Sequence, residues 1–522
     1  MLPKLIKALI ALALLLAAVL AANTLRQGSH QTDYPPAPRL TLDETGAANR
    51  LAGAVRIATV SDQIDAQANA PAFRTFHRHL ETSFPRLHAT LKREAINDFT
   101  LLYTWDAAGA TVAAGASPAV SSTTAAAPGA ATASAPARKP ILLMAHMDVV
   151  PVDAATAKQW THPPFAGTLA GEGGIAYVWG RGAWDNKSNL MSQMEAIETL
   201  LQAGFMPQQT IHLLLGADEE VNGVRGAGGA QKLFKERGTR FDFVLDEGLV
   251  ITEGIIPGVA APAALIGITQ KGYMTAELAV RFAKGGHSSM PPKESVIGVL
   301  AEGVARIEKN PFPPRIKGVP EQMFATLAPE MGFPNRLFMS NLWLFGPLVQ
   351  AKLAQSDATR AQLHTTSGTT LFHAGIKDNI IPSEARASIN LRILPGDTSD
   401  TVIDALRNKA GDAHIEISKP SFVVEPTRAS SIAAPAFRAL EKTVREIFPG
   451  TIVAPSLFTA RADAGYLDAL ADNVYLFSPV RVGPKDTPRF HGIDERIAVA
   501  NYVEMIRFYH RLIQNTAGSA GQ

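Results

Sequence analysis

Three consecutive carboxylates, Asp218, Glu219 and Glu220, follow the apolar run Leu213-Leu214-Leu215 in the stretch HLLLGADEEVNG. Such a run suits a buried strand, and adjacent like charges at its end repel and lose hydration unless a cation holds them. The pattern recurs: ILLMAHMD ends on His146 and Asp148, and FDFVLDEG ends on Asp246 and Glu247. Two further stretches supply donors, Asp185 in GRGAWDNKSN and His491 in RFHGIDERI. His146, Asp185, Glu220, Asp246 and His491 make two imidazoles and three carboxylates. The chain has no cysteine, so thiolate ligation and thiolate catalysis are excluded, and this donor set suits zinc or a neighbouring first-row metal. One Asp can bridge two ions through its two oxygens, leaving each ion one His and one further carboxylate. The arithmetic closes on a two-metal site.

Paired ions about 3.5 to 4 Å apart lower the pKa of a shared water and polarise a scissile carbonyl. A free carboxylate must then take the water's proton and return it to the leaving nitrogen. Glu219 suits that role, because adjacent residues at a strand end diverge and Glu220 can ligate while its neighbour faces the open side. Asp148, two residues after His146 and so on the same strand face, can orient the imidazole. Asp218 reads as a loop cap, and His212, alone on its strand, as a satisfied core residue.

These side chains need a scaffold. At 522 residues the chain is long enough for two to three folding units. From Pro140 to Gly248 short apolar strands alternate with helical segments, which argues for an α/β unit with a mixed, largely parallel sheet flanked by helices. Ligands in such sheets collect at the carboxyl ends of the strands, where the polar residues above cluster. Between residues 263 and 418 the order changes to strand, strand, helix, then later strand, strand, helix, strand, the pattern of a separate α+β unit inserted into the first. There ALIGITQKGYMTAELAVRF reads as a hairpin, and Asn310 to His364 as a Pro- and Phe-rich elaboration. The catalytic unit accordingly spans 41–262 and 419–515. An Ala/Ser/Thr-rich segment, 107–140, between two strand-like runs reads as a disordered hairpin insertion.

At the N-terminus, Lys4 and Lys7 precede an unbroken apolar run from Ala8 to Ala22. Counted from Leu5 to Leu25 with Lys7 snorkelling, it reaches about 31 Å, enough for a bilayer core of roughly 30 Å. Residues 1–25 therefore read as a signal anchor, or as a signal peptide cut near Val19-Leu20-Ala21, and 26–40 as a linker lifting the body off the membrane. In both cases the positive-inside rule puts the body outside the cytoplasm, anchored or secreted.

The residues and their order resemble the aminoacylase and carboxypeptidase family of dinuclear zinc hydrolases, most closely its carboxypeptidase S and secreted N-acyl-amino-acid hydrolase branch. The likeness runs from about Thr41 to Gln514, apart from the Ala-rich insertion. It implies two Zn2+ ions, one held by His146, Asp185 and Asp246 and the other by Asp185, Glu220 and His491, with Glu219 as general base. Glu247 competes with Asp246 for the ligand position, and Asp246 is favoured. Asn186 stands where the family often has a second Asp after the bridging one, joined by a cis peptide; that position is not a ligand. The resemblance also implies a ferredoxin-like lid through which many members form homodimers. In KGGHSSMPP, His287 would reach the neighbouring subunit's site and stabilise an oxyanion. Asn379 and Arg392, in DNIIPSEARASINLR, match substrate-binding positions, and a guanidinium suits a substrate carboxylate because it makes two parallel charge-assisted bonds.

The expected partners are a small-molecule or peptide substrate with a free carboxylate and, through the N-terminal segment, a membrane. With 49 Lys+Arg against 47 Asp+Glu and no basic, aromatic-interleaved stretch, nothing points to nucleic acid. The alternative is a membrane-tethered, non-catalytic binding protein on the same fold. Within the hydrolase class, the apolar stretch GFPNRLFMSNLWLFGPL is expected to line an acyl-chain site.

Overall fold

The structure is a computed structural model describing residues 2–109 and 138–518. Helix α1 (Leu2–Arg26) is followed, after a helical region, by strands β1 (Lys92–Ile96), β2 (Thr100–Trp105) and β3 (Ile141–His146). Then come α2 (Lys187–Gln202), β4 (Ile211–Gly216), α3 (Ala227–Glu236), β5 (Phe241–Thr252) and β6 (Ala263–Gln270). After an inserted unit the chain returns to complete one eight-stranded sheet. Within that sheet β3 lies between β4 and β5 and pairs parallel with both, while β1 and β2 extend it antiparallel from β4.

Every side chain of β3 is buried, as expected of a strand covered on both faces. Leu143, Leu213 and Leu245 face a core shared with α2. Leu142, Met144, Leu214 and Val244 face a second core with Phe234 of α3. Alternation along each strand thus feeds two layers of helices from one run of apolar residues. Strand β4 also separates β2 from β3, so these two strands do not pair as a hairpin. Most of the biased segment between them lies outside the described residues. His212 sits edge-on to Phe234 and Phe241 and bonds Thr104 Oγ1 at 3.0 Å, a satisfied core position.

The inserted unit begins one residue after β6. Its elements are β7 (Gly272–Arg281), β8 (Gly286–His287), α4 (Val296–Lys309), β9 (Thr366–Ala374), β10 (Ile380–Ile381), β11 (Glu384–Ile393), α5 (Ser399–Ala410) and β12 (Glu416–Ser418). The larger strands form an antiparallel sheet in the order β9-β11-β7-β12. Helix α4 covers it with Val296, Leu300, Val304 and Ile307, an apolar stripe at helical spacing, and Ser295 caps its start by accepting from Gly298 N. A Thr398–Thr401 capping box starts α5 and Gly411, at φ 62°, ends it.

Two expectations change here. The stretch ALIGITQKGYMTAELAVRF is not a hairpin: β6 pairs parallel with the later strand Ile452–Phe458 of the large sheet, and β7 starts the inserted sheet. Lys271 is the crossover, so the boundary falls there and not at 263. The elaboration between α4 and β9 contains helices Val319–Leu327, Asn335–Ser340 and Leu342–Leu353. It packs against Ala263, Ile452 and Ala454 at the edge of the large sheet, outside the inserted core. After the inserted unit, helix Pro435–Ile447, strands Ile452–Phe458 and Ala471–Val482 and helix Val499–Ala517 complete the large unit; the second of these strands pairs parallel with β5.

The segment after α1 does not stand off the body. Arg336 donates to Gln27 O (2.8 Å), Gln31 bonds both the amide and the carbonyl of Val453, and Ala37 N donates to Glu446 O (2.9 Å). The 26–40 stretch is a strap along the protein rather than a spacer.

Candidate metal centre

Parallel pairing sets the rim of the site. His146, the last residue of β3, pairs with Gly216, the last residue of β4, so the loops that follow leave the sheet level with each other. Asp148 lies in one loop and Glu219 and Glu220 lie in the other. Asp148 joins them: its two carboxylate oxygens accept from Glu219 N (3.2 Å) and Glu220 N (3.1 Å), and Ser61 Oγ donates to it at 2.7 Å. His146 Nδ1 meets the carbonyl oxygen of Asp148 at 2.9 Å, with the carboxylate at 3.4 Å. Asp148 therefore orients the imidazole mainly through its backbone, and its side chain fixes the Glu219–Glu220 turn. Asp218, expected as a loop cap, accepts from Arg225 N (2.8 Å) and Gly226 N (2.9 Å).

The two oxygens of Asp185 face different imidazoles. Oδ1 lies 3.2 Å from His146 Nε2, and Oδ2 lies 2.7 Å from His491 Nε2. Each imidazole has a further acid beside it, Glu247 at 3.4 Å from His146 Nε2 and Glu220 at 3.4 Å from His491 Nε2. Ligand atoms of His146, Asp185 and Glu220 lie within 4.8 Å of one another, and so do those of His146, Glu219 and Glu247. Glu220 Oε1 is buried without a hydrogen-bond partner. An acid-rich pocket with an orphaned oxygen and imidazoles aimed between carboxylates fits bound cations.

Asp246, favoured over Glu247 from sequence, is not among the side chains that converge. Its oxygens accept from Glu247 N (2.8 Å) and Ala464 N (2.7 Å), while Glu247 turns towards His146 and takes a hydrogen bond from Asn186 Nδ2. The cause is a bulge. Leu476 on the neighbouring strand pairs with Asp246 and Phe477 with Leu249, leaving Glu247 and Gly248 unpaired. Extra residues of this kind re-aim side chains beside sites. Gly248 is the sequence trace of it, because a Cβ there would lie 2.7 Å from Leu476 backbone.

A buried ion pair escaped the sequence reading. Glu495 accepts from Trp184 N and Asp185 N, both 2.9 Å, and from Arg181 Nη1 at 2.6 Å; Arg181 Nη2 donates to His491 O at 2.9 Å. One ion pair thus holds Asp185 and the distant His491 in register. Arg181 precedes Asp185 by four residues and Glu495 follows His491 by four, spacings that hint at the link only once both motifs share a site. Asp463 is a second omission, buried beside Gly216 and Gly223 with Oδ1 unpartnered.

Burial opposes charge on Asp185, Glu219, Glu220, Asp246 and Glu247. It pushes Glu219 well above the ordinary carboxylate range, reinforced by the neighbouring Glu247, and lifts Glu247 itself to about 8. Burial also works against a charged His491, but the carboxylates of Asp185 and Glu220 beside it outweigh that and raise the imidazole to about 10. Asp185 shows the converse: burial pushes it up, and the bonds from His146 and His491 prevail and hold it below its usual range. The Asp185–Asn186 peptide is cis.

The remaining candidates lie on the inserted unit. His287 on β8 is exposed, with Nδ1 2.8 Å from Ser289 Oγ, and Ser288 N donates to Asn379 O at 3.2 Å. Asn379 Oδ1 is buried without a partner. The Arg392 guanidinium stacks on Tyr273 at 4.8 Å and makes no ion pair among the described residues. Burial lowers its pKa, and Arg461 and Glu219 are among the charges it feels. The apolar elaboration that was expected to line an acyl-chain site packs instead on the sheet edge and on α1.

The profile of peptidase family M20/M25/M40 matches residues 142–515, a span that includes every converging residue above. The chain belongs to that family. As an M20 family member it is a hydrolase, and the mixed sheet with flanking helices is the family's fold. It is 37% identical over 483 residues to a probable carboxypeptidase S-like protein of Dictyostelium discoideum, covering 91% of this chain and 86% of that one. It is 35% identical over 470 residues to an N-fatty-acyl-amino acid synthase/hydrolase of Danio rerio, covering 89% and 84%. The crystal structure of an M20 family metallo-carboxypeptidase from Sulfolobus solfataricus superposes with a TM-score of 0.62 at 17% identity, covering 91% of this chain and 99% of the other.

Proposed function

We propose that this M20 hydrolase carries two zinc ions and cleaves an amide bond next to a free carboxylate, in N-acyl amino acids or at the C-terminus of small peptides. The observation that carries the reading is Asp185, with one oxygen towards each imidazole and one further acid on each side. His146, Asp185 and Glu247 would hold one ion, and Asp185, Glu220 and His491 the other. Bound there, such ions polarise a substrate carbonyl and acidify water.

Glu219 then acts as the general base. Its burial and the repulsion from Glu247 raise its proton affinity towards the working range, so that it takes the proton of the attacking water and passes it to the leaving nitrogen. Arg392, held flat on Tyr273 and without an acid partner, pairs with the substrate carboxylate. His287 and Asn379 serve the reacting carbonyl, and the exposure of His287 suits a donor lent to a second copy across a lid-mediated homodimer. Helix α1 anchors the protein in a membrane with its body on the extracytoplasmic side. The likeness to an N-fatty-acyl-amino acid synthase/hydrolase favours acyl-amino acids over peptides.

The experiment is Glu219→Gln, assayed on a long-chain N-acyl-Phe and on a blocked dipeptide, with metal content measured on the same sample. Full metal content with turnover reduced by about 10²- to 10⁴-fold is expected. Unimpaired turnover, or a folded wild-type protein that takes up no metal, overturns the reading.

A further inference from the structure

The elaboration on the edge of the large sheet has an unusual surface. From Leu337 to Ala351 it contains no charged residue. Its last helix, Leu342–Leu353, is apolar around its circumference over the first two turns, yet only Val349 is buried in it. Trp343 is 61% exposed, Leu348 60% and, just before these helices, Phe333 78%. A soluble surface rarely leaves so many large apolar side chains together.

This surface adjoins α1 at one defined depth. The packed part of α1 is its last turn and a half: Thr24 is buried, whereas the side chains from Leu2 to Val19 are exposed. The contact is a polar knot around the fully buried Asn341. Asn23 Nδ2 donates to Asn341 Oδ1 (3.0 Å), and Asn341 Nδ2 donates to Leu20 O (3.3 Å) and Thr24 Oγ1 (3.2 Å). Trp343 Nε1 donates to the same Asn341 Oδ1 at 3.3 Å, so its ring sits next to the knot with its face free. If the apolar span of α1 runs from Leu5 to Leu25, Leu20 to Thr24 occupies roughly the outer 8 Å of the hydrocarbon. That is the depth at which tryptophan concentrates in membrane proteins. Arg26 ends α1, and Arg336 and Lys352 flank the uncharged stretch, as cations do at the headgroup level. The strap from Gln27 to Ala37, bonded to the body, keeps this geometry from being a loose tether.

We propose that the helices Asn335–Ser340 and Leu342–Leu353, with Phe333, form a shoulder that sits in the outer leaflet beside α1. The occupant of this face is lipid acyl chain, and the enzyme lies on the bilayer rather than above it. An amphiphilic substrate then reaches the protein from the membrane plane. The inference rests on the reading of α1 as an uncleaved anchor.

The absence of cysteine makes the test direct. Single variants Leu348→Cys, Phe333→Cys, Leu12→Cys and Ile376→Cys of the full chain are labelled with an environment-sensitive fluorophore. They are then reconstituted into phosphatidylcholine/phosphatidylglycerol vesicles containing acyl-chain spin-labelled lipid. Leu12 reports the anchor, and Ile376, 94% exposed on the inserted unit, reports water. Quenching at 348 and 333 comparable to that at 12, with none at 376, is expected. Quenching at 12 while 348 and 333 behave like 376 overturns the shoulder and leaves the anchor standing. Blue-shifted emission at 348 that spin-labelled lipid does not quench assigns the face to a second copy and also overturns it. No quenching at 12 removes the anchor and the shoulder together.

Discussion

Asp185 is kept ionised by two imidazoles, and each imidazole is kept protonated by the acids around it. The carboxylates around His146 and His491 raise both above the usual imidazole value, which favours a proton on each. A metal ligates only neutral imidazole, so uptake must expel these protons. Near pH 8, below the value of about 10 for His491, zinc binding is expected to release protons, and affinity is expected to rise with pH. Calorimetric titration in buffers of different ionisation enthalpy measures this, and a binding heat independent of buffer contradicts it. The ligand choice at β5 is tested separately: Glu247→Ala should lose one ion, whereas Asp246→Asn should keep both, and the reverse pattern restores Asp246. Most of the side chains that converge were legible in sequence because residue type alone restricts them. Glu247 was not favoured, because a bulge between two strands is a property of their pairing, which one strand's sequence does not contain.

Elements decide whether those donors meet. The Arg181–Glu495 pair ties the start of α2 to the loop of His491, and Asp148 ties the end of β3 to the Glu219 turn. Glu495→Gln is expected to weaken metal binding by about 10- to 100-fold with the fold intact, as loss of a group supporting ligands does. Arg181→Met leaves the Glu495 charge buried and should cost about 3 to 5 kcal/mol of stability by denaturant titration. A change within error for both variants would mean that the pair positions nothing. The alternation of strands and helices, and the cluster at the strand ends, could be read in advance because apolar periodicity reports local structure directly. The partnership of β6 could not, since an apolar strand followed by Lys-Gly looks alike whether the chain turns back or crosses into another sheet.

At the scale of the molecule, the crossover at Lys271 is where the two units join. Its side chain is fully buried, Nζ donates to His364 O at 2.7 Å, and burial lowers its pKa to about 7 from an ordinary 10.5. Between those values the unfolded chain holds a proton that the folded chain has lost, so this group makes stability rise with pH across that window. Lys271→Met is expected to flatten the rise in thermal stability between about pH 7 and 10 relative to wild type; an unchanged slope contradicts it. The 26–40 strap and the elaboration on α1 were invisible at this scale, because both depend on contacts between segments hundreds of residues apart. The proposed function rests on a paired-ion centre organised by one shared carboxylate, Asp185. Metal equivalents per chain in the wild type, Asp185→Ala and Glu220→Ala test this most directly. Two equivalents in the wild type, one in Glu220→Ala and fewer than one in Asp185→Ala are predicted, and an Asp185→Ala protein that still holds two contradicts the account.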